Sequence, residues 1–176
     1  MKNTFPKSRA ELIKLVICDV DGVLSPPRIL ITSSGDVLKE FNVTDGLGLQ
    51  LLMSSGVDLA IISGRQSLAV KKRTRELGIK HVYQGVTDKL PIYSKLIAKL
   101  NLGDSQVAYI GDDYPDLPIM KRCGLSITVP HATDLIKTNS NYTTVRPGGN
   151  GAVREVCELI MVAQGTFGKQ TGKYLR

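Results

Sequence analysis

LVICDVDGVL, residues 15–24, decides the fold. From residue 15 to residue 20 the run is apolar except for Asp19, the pattern of a strand buried on both faces. Runs of the same kind recur at VDLAIIS (57–63), HVYQG (81–85), QVAYIGDD (106–113) and LSITV (125–129), with NYTTV (141–145) as a short edge strand. Helical stretches fall between them. One covers 47–53 and ends at Gly56; a second is capped by Ser67 and closed by Gly78. A third spans 90–100 with Pro91 in its first turn, a fourth lies around 117–122, and a fifth runs over 152–164 with Val153, Val156, Ile160 and Ala163 on one stripe. Strands and helices in alternation specify an α/β fold: a three-layer, doubly wound parallel sheet with helices on both faces. RILIT (28–32) and VLKEF (37–41), joined by SSGD, read as a small β-hairpin. Residues 15–164 form one domain in this reading, with 1–14 an N-terminal extension and 165–176 a flexible C-terminal tail.

Composition narrows the function. The chain has 176 residues, 42% hydrophobic and 22% charged, enough for one packed core. Aromatic residues make up 5% and Trp is missing, which disfavours a stacking platform for single-stranded nucleic acid. The net charge is +7, but residues 1–14 and 165–176 each carry +3, leaving the body nearly neutral. A nucleic-acid binder concentrates charge on a folded face, so no nucleic-acid partner is expected. No apolar run reaches the roughly 20 residues of a membrane span, and the opening residues lack a secretion signal's apolar core. Three cysteines without metal-ligand spacing fit a reduced, cytoplasmic setting.

In an open parallel sheet, ligands bind beyond the carboxyl ends of the strands. The polar residues after each apolar run therefore converge: Asp19 and Asp21, then Ser63 and Arg65, then Lys89 at a helix start, then Asp112, Asp113 and Asp116. Clustered carboxylates repel one another unless a hard cation sits among them, and Mg²⁺ suits oxygen donors. One carboxylate can then attack phosphorus, and a second two residues on can protonate the leaving alkoxide and later activate water. A hydroxyl and an ammonium can hold phosphoryl oxygens. His81 and His131 stand isolated and are given no role.

At these residues the chain resembles the haloacid dehalogenase superfamily. DVDGV (19–23), Ser63 in IISGR, Lys89, and GDDYPD (111–116) are similar to its four motifs in order. The resemblance implies that Asp19 is the nucleophile, forming an aspartyl-phosphate, and Asp21 the general acid and base. It implies that Asp19, the backbone carbonyl of Asp21, and Asp112 hold Mg²⁺, that Ser63 and Lys89 bind the phosphoryl group, and that Asp113 and Asp116 are supporting. Between Asp21 and Ser63 there is room only for the hairpin and one helix, and between Arg65 and Lys89 only for a helix and a strand. No cap domain is expected.

Within that superfamily the chain resembles the capless phosphatases of 3-deoxy-D-manno-octulosonate 8-phosphate. The matching stretches are FNVTDGLGLQLL (41–52), SGRQS (63–67), GVTDKLPI (85–92), GDDYPDLPIM (111–120) and GGNGAVREV (148–156). The resemblance implies a small sugar-phosphate substrate, a role in surface-polysaccharide synthesis, and a homotetramer with the hairpin in its interface. Asn42, Val43, Thr44, Asp45, Gly46, Arg65 and Arg73 would contact substrate, the arginines suiting an acidic sugar. Two departures bear on the substrate. Thr44 stands where that family has a basic residue, and Ser25-Pro26-Pro27 replaces a polar, Gly-containing turn, removing two amide donors. Two alternatives follow: a phosphatase for a nine-carbon ulosonic acid phosphate, and, from another class, a phosphorylatable receiver-type module with its acceptor at Asp112.

Overall fold

The computed structural model describes residues 4–175. Its main sheet has six strands, all parallel: β1 (Leu15–Cys18), β4 (Asp58–Ile62), β5 (His81–Tyr83), β6 (Val107–Ile110), β7 (Leu125–Thr128) and β8 (Tyr142–Thr143), in the order β5-β4-β1-β6-β7-β8. The chain builds outward from β1 to β4 and β5, then returns to the other side of β1 for β6, β7 and β8. That reversal opens a crevice at the carboxyl ends of β1 and β6, where doubly wound sheets bind ligands. Register levels the rim, because Cys18 pairs with both Ile61 and Ile110.

Alternation along β1 feeds two cores. Val16 and Cys18 join the cluster under α2 (Val43–Ser54), α3 (Leu68–Leu77) and α7 (Ala152–Ala163). Leu15 and Ile17 join the opposite cluster under α4 (Lys89–Lys99) and α5 (Leu117–Met120). The three layers are thus written into one strand, and of the expected stripe Val153, Val156 and Ile160 are fully buried while Ala163 is partly so.

Helix α3 begins and ends as read, with Ser67 Oγ accepting from Val70 N and Gly78 at φ 81°. Helix α2 begins earlier than expected, at Val43 rather than 47. Asn42 Oδ1 accepts from the amides of Thr44 and Asp45, and this cap starts the helix across two glycines of low helical propensity. Those glycines serve packing: a Cβ on Gly46 would lie 2.3 Å from Arg73 Nη2, and one on Gly48 3.1 Å from Arg154 Cα.

The hairpin is shorter than its sequence suggests. Only β2 (Leu30–Ile31) and β3 (Val37–Leu38) pair, around a turn with Gly35 at φ 86°. Both ends of the chain carry a short helix that the reading of extension and tail does not include, although residues 1–3 and 176 lie outside the described residues. Helix α1 (Lys7–Ala10) precedes β1, with Ala10 and Ile13 buried and the Phe5 ring edge-on to Tyr142. Helix α8 (Phe167–Thr171) follows α7; Phe167 packs on the core, and Gln170 Nε2 donates to Ser54 O at 3.1 Å. Gln164 Nε2 ties the two ends together by donating to Ala10 O and Ile13 O. The short α6 (Asp134–Thr138) between β7 and β8 was also not expected. No inserted lid interrupts the core: the hairpin and α2 fill the first gap, α3 and β5 the second.

Candidate active site

Asp19, Ser63 and Asp112 sit where strands give out, and Lys89 sits where a helix begins. Asp19 follows β1 and is 8% exposed, with its amide donating to Ile110 O. Ser63 follows β4 and is buried; its amide donates to Tyr83 O at 2.9 Å and its carbonyl accepts from Val86 N at 3.1 Å, so backbone pairing fixes it on both sides. Lys89 opens α4 after Asp88, whose Oδ1 caps the helix by accepting from Leu90 N. Asp112 and Asp113 follow β6. The approach of Asp112 to the first motif requires Gly22: at φ 85°, a Cβ there would lie 2.0 Å from Asp112 Oδ2.

Lys89 and Asp116 organise the floor of this rim. Lys89 Nζ lies 3.0 Å from Asp19 Oδ1 and 2.7 Å from Asp116 Oδ1. Asp116, wholly buried, also accepts from Tyr109 Oη at 2.6 Å and from the amides of Asp112 and Asp113 at 3.0 and 3.2 Å. Its oxygens are therefore committed. Asp113 Oδ1 accepts from Tyr114 N and so caps the short turn that carries Asp116 inward.

The electrostatics follow from burial. Burial, then the neighbouring Asp116, push the Asp19 carboxyl up to about 7 against the pull of Lys89. Burial and Asp116 likewise push Asp112 up to about 7. Burial alone would lower the Lys89 ammonium, but Asp19 and Asp116 outweigh it and hold it above the ordinary lysine value. Oxygens of Asp19, Asp112 and Asp116 lie within 4.8 Å of one another, and Asp112 Oδ1 is buried with no hydrogen-bond partner. Hard oxygen donors, one of them orphaned, between two carboxyls that resist ionising alone, fit a divalent cation of the Mg²⁺ type.

Above this floor opens a cleft of about 650 Å³. Asp19, Asp21, Ser63, Arg65, Lys89, Asp112, Asp113 and Asp116 line it, joined by Arg28 and Ile29 from the base of the hairpin. The other expected contacts do not reach it within one chain. Asn42 caps α2; Val43 is 80% exposed; Thr44 packs beside Asn42 with its carbonyl accepting from Arg154 Nη1. Gly46 lies under Arg73, which pairs with Glu76 at 2.9 Å. Asp45 is 1% exposed and caps a different helix: its carboxylate accepts from Arg154 N at 2.7 Å and Gly151 N at 3.2 Å, at the start of α7. That cap steadies the loop whose Gly148 and Gly149 press on Gly22 O and Pro26 N.

Two residues at the site escaped the sequence reading. Lys39, from β3's end, pairs with Asp21 Oδ1 and is almost wholly buried. No local pattern marks it, because only the folding-back of the hairpin brings it there. His131, given no role, has Nε2 3.1 Å from Asp112 Oδ2, and burial and then Lys137 hold it below the usual histidine value.

Known proteins match both the sequence and the architecture. Residues 81–155 match the haloacid dehalogenase-like hydrolase family. The 3-deoxy-D-manno-octulosonate 8-phosphate phosphatase KdsC of Yersinia pestis is 48% identical over 93% of this chain and 88% of its own. The crystal structure of the phosphatase of that name from Moraxella catarrhalis, in complex with magnesium ion, phosphate ion and KDO, superposes with a TM-score of 0.93 at 48% identity, covering 96% of this chain and 97% of that one. A probable YrbI family phosphatase from Pseudomonas syringae pv. phaseolica gives a TM-score of 0.95 at 45% identity, over 97% of each chain. With the acid–ammonium rim, the capless core and this likeness over nearly its whole length, the chain is a phosphatase belonging to the 3-deoxy-D-manno-octulosonate 8-phosphate phosphatase family of haloacid dehalogenase-like hydrolases.

Proposed function

We propose that this phosphatase hydrolyses 3-deoxy-D-manno-octulosonate 8-phosphate to the free sugar acid and phosphate, with Mg²⁺ held by Asp19, the backbone carbonyl of Asp21, and Asp112. The observation that carries the reading is the orphaned Asp112 Oδ1 beside an Asp19 carboxyl anchored by Lys89. When bound, Mg²⁺ neutralises charge where two anionic partners meet. Asp19 attacks phosphorus and the ester P–O bond breaks, leaving an aspartyl-phosphate. Asp21 gives its proton to the departing sugar oxygen, then takes one from water as that water attacks phosphorus and frees Asp19. Lys89, 3.0 Å from Asp19 Oδ1, orients the nucleophile and, with Ser63, receives phosphoryl oxygens. Asp116 is the positioning partner of Lys89, and Asp113 shapes the turn that delivers it.

Arg65, which lines the cleft together with Arg28, supplies a cation for the sugar carboxylate. Asn42, Val43, Thr44 and Arg73 lie outside the cleft of their own chain, so they meet substrate only where copies assemble. The homotetramer is supported by the hairpin, whose Ile31 is 68% exposed and Leu38 55%. A cytoplasmic setting accords with three buried, unpaired cysteines; among the described residues no helix is long and apolar enough to cross a membrane.

Phosphate release across a panel of sugar phosphates, with Mg²⁺ and with EDTA, tests the reading. The octulosonate 8-phosphate is expected to be the fastest substrate and EDTA to abolish turnover. Turnover no faster than that of a generic aryl phosphate sinks the substrate, and faster turnover of a nine-carbon ulosonic acid phosphate replaces it.

A further inference from the structure

Beyond β7 the chain passes through Val129 and Pro130 and sets His131 against the rim. Its Nε2 stands 3.1 Å from Asp112 Oδ2; the His131 side chain is 28% exposed and that of Asp112 12%. In the ionised form that takes a cation, Asp112 Oδ2 only accepts, and the Nε2–H tautomer of His131 then donates to it. Among the described residues, His131 is the one hydrogen-bond donor to the Asp112 side chain, since the amide of Asp112 is spent on Asp116. On the other side the Asp112 carboxylate lies close against Gly22, whose backbone donates no hydrogen bond to it. A carboxylate turns about its Cβ–Cγ bond unless one oxygen is held. Here the outer oxygen is held and the inner one, Oδ1, stays buried and unpartnered. Metal-binding side chains are commonly oriented this way, and losing the outer partner typically costs 10–100-fold in affinity or activity.

We propose that His131 is a positioning residue for the cation: its Nε2–H fixes Asp112 Oδ2 and so presents Oδ1 as a preformed metal ligand. The inference rests on the reading of Asp112 as a ligand of Mg²⁺. It is tested on the full chain by calorimetric titration of Mg²⁺ against wild type, His131→Phe, His131→Gln and Asp112→Asn, with the Mg²⁺-induced rise in Tm as a second readout. His131→Phe keeps the ring and loses the donor; its Mg²⁺ Kd is expected to rise about tenfold, the low end for a partly exposed partner. His131→Gln restores a donor and is expected to stay within about threefold of wild type. Turnover of the Phe variant should show the same split, with a raised Mg²⁺ half-saturation that excess Mg²⁺ offsets. An unchanged Kd in His131→Phe overturns the inference alone, and so does an equal loss in Phe and Gln, which makes the ring a packing element. Mg²⁺ binding as tight in Asp112→Asn as in wild type, or none in wild type, overturns the ligand reading with it.

Discussion

The catalytic rim and the β2–β3 hairpin meet at Arg28 and Ile29, and they break the ordinary burial rule in opposite directions. On the rim, charges are buried: Lys89 is 4% exposed and Asp116 0%, yet Lys89 has two carboxylates and Asp116 has an ammonium, a phenol and two amides. On the hairpin, apolar residues are exposed: Ile31, Val37 and Leu38 stand in solvent on two-residue strands that no other element covers. Buried charge is tolerable only when its partners are built in, so the rim is completed inside one chain. An uncovered apolar ribbon is completed only by another surface. The first region balances its charges within one chain, and the second leaves apolar surface open.

The sharpest attempt to break that contrast is Asp19→Asn. Phosphate release is expected to fall by at least about 10⁴-fold, because the amide cannot form the acyl phosphate. A rate equal to wild type would take the enzyme out of the rim altogether. Lys89→Met comes next: it leaves Asp19 and Asp116 buried without their cation, at a cost of about 3–5 kcal/mol in urea unfolding. A wild-type midpoint would mean that water, and not Lys89, balances the acids.

Metal and pH come third. Asp19 and Asp112 sit near 7 in the folded chain against an ordinary 3.8, so the folded state binds protons more tightly than the unfolded one. Without metal, their contribution to stability is greatest below about pH 4 and is lost as the pH rises to about 7. Mg²⁺ needs the ionised carboxylates, so its lift in Tm should grow between about pH 5 and about pH 7.5. Equal lifts at both values would place the cation elsewhere. Asp45→Ala, off the rim, removes the acceptor of two amides at the start of α7 and should cost about 1–2 kcal/mol in the same urea experiment. Smallest for folding is Ile31→Ser, within about 0.5 kcal/mol for a residue standing in solvent. Sedimentation should nonetheless show a weaker assembly, and an unchanged oligomer would leave the hairpin without its partner.

Much of the rim was legible because a strand buried on both faces has to be continuously apolar, and the first polar residue after it marks the sheet edge. Asp19, Ser63 and Asp112 were found by that rule. His131 obeys it too, two residues beyond LSITV, and was passed over because a lone histidine carries no motif. The start of α2 was hidden by Gly46 and Gly48, whose poor propensity is overridden by the Asn42 cap and by arginines that need the space. Asp45 was read as a substrate contact on likeness. Its partners, Gly151 and Arg154, lie more than a hundred residues away, beyond any local pattern.

The sequence alone determined the parallel sheet, the order of its chemical groups and the lack of room for a lid, because periodicity and spacing are properties of neighbours along the chain. Which acid keeps a free oxygen, which is spent on Lys89 and Tyr109, and which caps a distant helix were decided only by tertiary structure. Hydrogen bonds and burial are settled between segments that meet in space, and an aspartate's letter is the same in all three settings.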